Sequence, residues 1–395
     1  MKWPELSLMD ALENAEVFVD GDWVESKDQD PEGHVRLVQL ADVGDGEYIG
    51  KSARFLTSAK ARELKCTFLK PGDILIARMP DPLGRACIFP GDSKASVTVV
   101  DVCIVRPNAS EHHARWLMHC LNAPDCRKQI AGYATGTTRS RISRRNLGKI
   151  RVPVPPLREQ RRIAEVLDRA EALRAKRRVG LAQLDSLIQS LFLEVFGDPV
   201  TNEQGWPVWT IGNLGEIGTG STPSRRIEGN FGGDTPWVKT SEVDWALITD
   251  TEEKITKRGL DSSRCKVYPV GSIVVALYGQ GKTRGKAAVL GIEAATNQAC
   301  GVLQPNEKYE TPFLFQQLRL SYQRLRDLGR GGNQENLNLG LLSNFTVLLP
   351  PLELQQEFAR RVAAIEKLMR VQRTSLAELD ALFASLQQRA FRGEL

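Results

Sequence analysis

Pro80-Asp81, then ten residues, then Asp92-Ser93-Lys94 has the loose form of a metal-dependent nuclease site, in which carboxylates hold Mg²⁺ and lysine assists the attacking water. The pattern is short, and Asp81-Pro82 and Gly91-Asp92 are ordinary turn sequences. Gly281-Lys282-Thr283 has the ending of a phosphate loop. The required first glycine is replaced by Ala276, however, and no clear helix follows to supply an amino-terminal dipole. His112, His113, His119, Cys120 and Cys126 crowd one stretch, but their spacing fits no standard zinc site. Packing of His113, Trp116 and Cys120 along one helix face accounts for them. An Asn-Pro-Pro-aromatic motif for adenine methylation is missing, as is a complete dinucleotide fingerprint. The expectation is a chain with no catalytic residue and no metal site.

The elements around these patterns belong to a soluble globular protein. A length of 395 residues suggests two to four folding units, and 42% hydrophobic with 26% charged residues excludes a disordered chain. There is no run of eighteen apolar residues, and Met1-Lys2-Trp3-Pro4-Glu5 lacks a signal-peptide pattern, so the expected location is the cytoplasm with no membrane partner. The seven cysteines are scattered and read as reduced core residues. The net charge of +5 is unevenly spread. Met1 to Gly50 has thirteen acids against three bases, and Arg139 to Arg178 has fourteen bases against four acids. The basic stretch points to an anionic partner. The acidic one would repel such a partner or meet a basic surface.

An internal repeat organises the chain. Pro155-Pro156-Leu157 recurs as Pro350-Pro351-Leu352, and the same offset of 195 matches Gln160 with Gln355, Leu184-Asp185 with Leu379-Asp380, and Phe196 with Phe391. Both copies show the 4,3 spacing of a coiled-coil seam. The first runs through Ile163, Leu167, Leu181, Leu184, Ile188 and Leu191, with Arg174 and Arg177 interrupting it. The second runs through Phe358, Val362, Ile365, Leu376, Leu379, Phe383 and Leu386, with Gln372 at mid-length. The helices alternate with segments of mixed content. Val35–Val38, Asp73–Ala77, Val97–Val100 and Ser272–Ala276 read as strands, and His112–Leu121 and Pro312–Leu328 as helices. The expected division is a globular domain over 1–156, a long helix over 157–197, a linker over 198–205, a second globular domain over 206–351 and a second long helix over 352–395. Because domain termini usually lie close together, the second helix should return along the first, giving an antiparallel pair and a pseudo-two-fold α+β molecule.

In the second half, Ile217-Gly218-Thr219-Gly220-Ser221-Thr222-Pro223-Ser224, Gly232–Lys239, Ala294-Ala295-Thr296-Asn297-Gln298-Ala299, Gly331–Leu337 and Leu348–Leu352 resemble the target-recognition domains of the DNA specificity subunit of type I restriction–modification enzymes. Gly136-Thr137-Thr138-Arg139, Arg141-Ile142-Ser143 and Val152–Ile163 resemble another subtype of the same domain, although the first half lacks the Thr-Pro-Ser and Gly-Gly-Asp segments. The resemblance covers essentially the whole chain. It implies a non-catalytic reader of a bipartite site in double-stranded DNA, whose helices bind two adenine-methyltransferase subunits. Restriction/translocase subunits would join them. S-adenosylmethionine, ATP and Mg²⁺ would be used by those partners, with no cofactor bound by this chain. Arginine contacts phosphates and reads guanine, and amides read adenine. The candidate DNA-binding residues are therefore Arg139, Arg141, Arg144 and Arg145; Thr222, Ser224, Arg225 and Arg226; Lys282 and Arg284; and Gln334, Asn336 and Asn338. The alternatives are a stand-alone metal-dependent nuclease and a coiled-coil scaffold with no DNA role.

Overall fold

A computed structural model of the chain describes residues 3–136, 139–279, 281–329 and 336–395. They fall into two compact units, Met1–Arg178 with Thr374–Leu395, and Val179–Arg373. The division cuts both long helices, because each half-helix packs on a different globular segment.

In the first unit an antiparallel four-stranded sheet has the order Val17–Asp20, Val102–Arg106, Ile74–Ala77, Ala86–Ile88. Beside it lies a three-stranded sheet, Phe55–Leu56, Val35–Val38, Ala95–Thr98. The run Ile74-Leu75-Ile76-Ala77 is apolar throughout because both of its faces are covered. Ile74 and Ile76 meet Trp116, Leu117 and Leu121, while Leu75 and Ala77 pack with Val38, Phe89 and Ile104. The predicted helix His112–Leu121 forms as Ala114–Asn122, and a second helix that was not predicted, Pro124–Gly132, follows it with Pro124 opening it.

The second unit repeats this plan. A five-stranded sheet has the order Ile217–Thr219, Cys300–Leu303, Ile273–Ala276, Ala287–Leu290, Leu247–Ile248, and a four-stranded one the order Glu253–Ile255, Phe231–Val238, Ala294–Thr296, Val267–Tyr268. Its helices Thr311–Leu320 and Tyr322–Asp327 occupy the predicted helical stretch.

Each long helix, Leu157–Phe196 and Leu352–Arg392, starts after a Pro-Pro pair and stops before a glycine in left-handed backbone, Gly197 (φ 74°) and Gly393 (φ 76°). A buried glutamine anchors each start. Gln160 accepts from the His113 amide at 2.8 Å and donates to the Pro155 carbonyl at 2.9 Å. Gln355 accepts from the Glu310 amide at 3.0 Å and donates to the Pro350 carbonyl at 2.8 Å. This explains the repeat identity at those positions. Gln160→Ala or Gln355→Ala, leaving buried backbone groups unpaired, should cost the affected unit about 1–3 kcal/mol in a denaturant titration.

Within each unit the half-helices run antiparallel. In the first, Ile163 and Leu167 share a core with Phe383, Leu386 and Ala390. Arg174, a polar break in the seam by sequence, places its guanidinium 4.4 Å from the Phe383 ring centroid and donates to Asp380 at 2.6 Å. Leu376 and Leu379 are half-buried. In the second, Leu181, Leu184, Ile188 and Leu191 share a core with Phe358, Val362 and Ile365. Fully buried Phe192 and Phe196 lie off the predicted seam and stack with Phe313 and Phe358 at centroid distances of 4.8–5.7 Å. One 18-residue window of the helix Leu157–Phe196 has a mean hydropathy of 1.3, so by length and composition the helix could cross a membrane. Its buried apolar side chains, Ile163, Leu167, Ile188, Phe192 and Phe196, are committed to these protein cores.

Many acids of the first fifty residues have internal partners. Asp20 pairs with Arg78 at 2.7 Å and Asp45 with Arg127 at 2.7 Å, while Asp42 accepts from the Gln39 and Ser52 amides, both at 2.7 Å. Much of that negative charge thus stabilises turns of the first unit.

Candidate nucleic-acid interface

In the second unit the loop 220–230 is built on residues from three of the quoted motifs. Gly220 presses so closely on the next strand that a Cβ would lie 1.7 Å from the Thr296 carbonyl oxygen. The Ser221 amide donates to that carbonyl at 3.0 Å. The Ser221 carbonyl accepts from Trp237 Nε1 at 3.0 Å and Cys265 Sγ at 2.9 Å. Thr222 Oγ1 donates to Gln298 Oε1, and buried Asn230 donates to the Ser224 carbonyl at 2.9 Å. On this frame Arg225 lies 4.5 Å from the Phe231 ring centroid and pairs with Glu253 at 2.9 Å. Lys239 also reaches Glu253, at 3.0 Å. Lys239 and Arg225 together hold the Glu253 carboxyl below the usual carboxylate range. Ser224 and Arg226 project into solvent, and Arg226 has no partner among the described residues.

The other candidates of this unit lie on two further loops. Lys282 is exposed in the turn after Ile273–Ala276, and its carbonyl accepts from the Tyr322 hydroxyl. Arg284 is half-buried, with its guanidinium carbon 3.3 Å from where a Cβ on Gly329 would lie. Asn336 is exposed. Asn338 caps the helix Leu339–Ser343, accepting from the Leu341 amide at 2.8 Å. Gln334 lies outside the described residues, as do Thr137, Thr138 and 331–335 of the quoted motifs.

In the first unit, Thr135 and Arg141 pair across a short loop through two backbone hydrogen bonds of 2.9 Å. Buried Arg78 braces the loop by donating to the Ile142 carbonyl at 2.9 Å. Arg139 and Arg145 are exposed, with no side-chain partner among the described residues. Arg141 pairs with Asp101 at 3.1 Å, and Arg144 donates to the Phe18 carbonyl at 2.7 Å. The four arginines thus divide into two tied to the domain and two open to an anion.

The position matching the second unit's loop is 21–28, which sequence inspection passed over. A Cβ on Gly21 would lie 2.3 Å from the Val99 carbonyl oxygen, and the Asp22 amide donates to the Thr98 carbonyl at 2.8 Å. Instead of Thr222–Arg226 this loop presents Trp23, Val24, Glu25, Ser26 and Lys27, with Trp23 69% exposed. It borders an open cleft of about 460 Å³ that also includes Gln29, Gln39, Arg54 and Asp101. The missed signal is a second offset, 199, relating Gly21 to Gly220, Cys66 to Cys265 and Ile74 to Ile273.

Two of the nuclease-pattern residues have partners within the first unit. Asp92 pairs with Arg36 at 3.0 Å, and Lys94 sits 4.4 Å from the Phe55 ring centroid. Among the described residues no group of three His, Cys, Asp or Glu is placed to hold a metal. His112 stacks on Trp116, and His119 Nε2 lies 2.8 Å from Asp168.

The family model for the type I restriction modification DNA specificity domain matches residues 34–180 and 203–381, once over each half of the chain. The chain belongs to this family. As a specificity subunit it carries no catalytic site and binds no cofactor of its own. It is 21% identical over 369 residues to the putative type I restriction enzyme MjaX specificity subunit of Methanocaldococcus jannaschii, covering 87% of this chain and 83% of that protein. It is 27% identical over 166 residues to the type I restriction enzyme HindI specificity subunit of Haemophilus influenzae, where the match spans 41% of this chain and only 36% of the relative. The fold is that of the S subunit of the type I restriction–modification system of M. genitalium, with a TM-score of 0.59, 14% identity, and coverage of 99% of this chain and 96% of that one. A chain from a study of complex assembly in a type I system gives a TM-score of 0.52 at 18% identity, covering 100% and 98%. The specificity-domain scaffold is thus present twice, carrying unlike loops.

Proposed function

We propose that this specificity subunit reads a bipartite site in double-stranded DNA, one half with each globular domain, and that its long helices dock two adenine-methyltransferase subunits. One observation carries the reading. The glycine-and-amide frame at Gly21-Asp22 and Gly220-Ser221 is repeated, while the residues it displays, Trp23–Lys27 and Thr222–Arg226, differ completely. A repeated frame with different displayed side chains suits two readers of different half-sites.

The docking role is supported by leucines that the repeat keeps on the surface. Leu173 and Leu368 are 51% and 46% exposed, and Leu187 and Leu382 are both 50% exposed, each pair being related by the offset of 195. Identical apolar side chains, exposed at equivalent places, suit two copies of one partner. A helix of 40 residues is about 60 Å long, enough to span half-sites about 34 Å apart. The partners would supply methyl transfer and, with restriction/translocase subunits, ATP-driven cleavage.

The test is DNA binding by the chain together with its methyltransferase. Affinity should fall steeply with salt, in proportion to the phosphates neutralised. Arg226→Ala should relax preference at one half-site, costing about 1–3 kcal/mol of discrimination if the guanidinium reads a guanine, and leave the other half-site intact. Equal loss at both half-sites would contradict separate readers. Cutting of DNA by the chain alone with Mg²⁺ would favour the nuclease alternative.

A further inference from the structure

We propose that Lys65 and Arg264 are a matched pair of DNA-phosphate contacts, one in each globular domain; the proposal rests on the reading that both domains bind DNA. Each follows a short helix, Ser58–Glu63 and Lys257–Ser262. Each of those helices is capped by a threonine, Thr57 accepting from the Lys60 amide at 3.1 Å and Thr256 from the Gly259 amide at 3.0 Å. Helix and exit are related by the offset of 199 that also superposes Gly21 on Gly220 and Cys66 on Cys265.

The backbone is the first argument. Lys65 has φ 53° and Arg264 has φ 54°. This left-handed position just beyond a helix is where glycine or asparagine normally sits, because a Cβ there meets the backbone. Elsewhere among the described residues the chain follows that rule, with glycine at fifteen positive-φ positions against two other residues, Asn202 and Trp245. At both equivalent exits it accepts the strain and keeps a long cationic side chain. Strain retained twice in the same place marks a function for the side chain.

Placement is the second argument. The residues just after each cation tie the turn to the repeated frame, Asp22 in one unit and Ser221 in the other. The Cys66 thiol bonds the Asp22 carboxylate, and that carboxylate accepts from the Thr67 amide at 2.9 Å. Burial pushes the Cys66 thiol up to about 11, so it stays protonated and able to donate. Cys265 Sγ donates to the Ser221 carbonyl at 2.9 Å, directly before Thr222–Arg226. Lys65 and Arg264 are both exposed, and neither charged group has a partner among the described residues. On the same stretch as Arg264, the side chains of Lys257, Arg258 and Lys266 are exposed as well.

The chemistry fits phosphate. A flexible cation beside a reading loop sets register without demanding a base identity, so lysine in one domain and arginine in the other serve equally. The competing explanation is a cation placed against the carboxyl-terminal dipole of a short helix. Glycine separates the two, since it relieves the backbone strain while removing the charge.

The experiment uses the full chain with its methyltransferase, carrying Lys65→Gly, Arg264→Gly or both. Binding to a mixed-sequence duplex and to DNA bearing the motif that the wild-type complex methylates is followed across a salt series. Each substitution should reduce the slope of log affinity against log salt by about 0.9. Binding should weaken alike on both DNAs, the methylated motif should not change, and Tm should stay level or rise. Lys65→Arg and Arg264→Lys should keep the wild-type slope. An unchanged slope in the glycine variants overturns the proposal, and a lowered Tm with that unchanged slope assigns the cations to the helix end. An altered motif also overturns it, by making them base readers. Absence of salt-dependent DNA binding in the wild-type complex would instead defeat the DNA-reading function itself, and this inference with it.

Discussion

Phe358→Ala should destabilise the second unit by about 3–5 kcal/mol, the range expected for emptying a fully buried aromatic site. Phe358 is fully buried and meets the rings of Phe192 and Phe196 at 5.7 and 5.5 Å. Phe313, from the helix Thr311–Leu320, closes the group against Phe192 and Phe196. Removing one ring leaves a cavity that the other three, held by the helices Leu157–Phe196 and Thr311–Leu320, cannot collapse into. Leu184 and Leu379 are only half-buried, so Leu184→Ala or Leu379→Ala should cost less than about 2 kcal/mol. Chemical denaturation of the three variants gives the comparison. Equal losses would show that the stabilising contact is the helical seam, contrary to this account.

The second large effect concerns partner binding. Leu187→Glu with Leu382→Glu should leave the fold intact, since both side chains are half exposed, with the change in stability within about 0.5 kcal/mol. Buried beneath a partner, the same carboxylates would be desolvated without a counter-charge. Methyltransferase affinity should then fall at least about 100-fold, about 2.7 kcal/mol. Either substitution alone should leave one methyltransferase bound of two, read by mass measurement of the purified complex. Retention of both partners by the double variant would remove these leucines from the docking surface.

How far the sequence could be read depended on which interaction a residue type advertises. The repeat at offset 195 and its 4,3 spacing located both long helices, because apolar periodicity follows directly from helix geometry. Gln160 and Gln355 stood out as identities, but their purpose lies in carbonyls and amides remote in sequence. Phe192 and Phe196 fell outside the predicted seam because a seam describes helix against helix, whereas these rings pack partly on a globular segment. Arg174 looked like a flaw in the seam, since the Phe383 ring and Asp380 carboxylate that receive it sit more than two hundred residues away.

The candidate DNA-binding residues were read as types in loops, and type does not show which cations are already spent. Arg144 and Arg225 are held by the Phe18 carbonyl and Glu253, while Arg139, Arg145 and Arg226 stay open. Lys65 and Arg264 escaped notice because left-handed backbone is announced in sequence by glycine, and here it is not.

The most direct measurement is a map of methylated adenines in DNA from cells carrying this chain with its partner subunits, set against cells lacking the chain. The account predicts chain-dependent methylation within one motif, made of two unlike half-sites separated by a fixed gap of unspecified bases. Methylation in a single uninterrupted motif, in two identical halves, or unchanged when the chain is absent would contradict it.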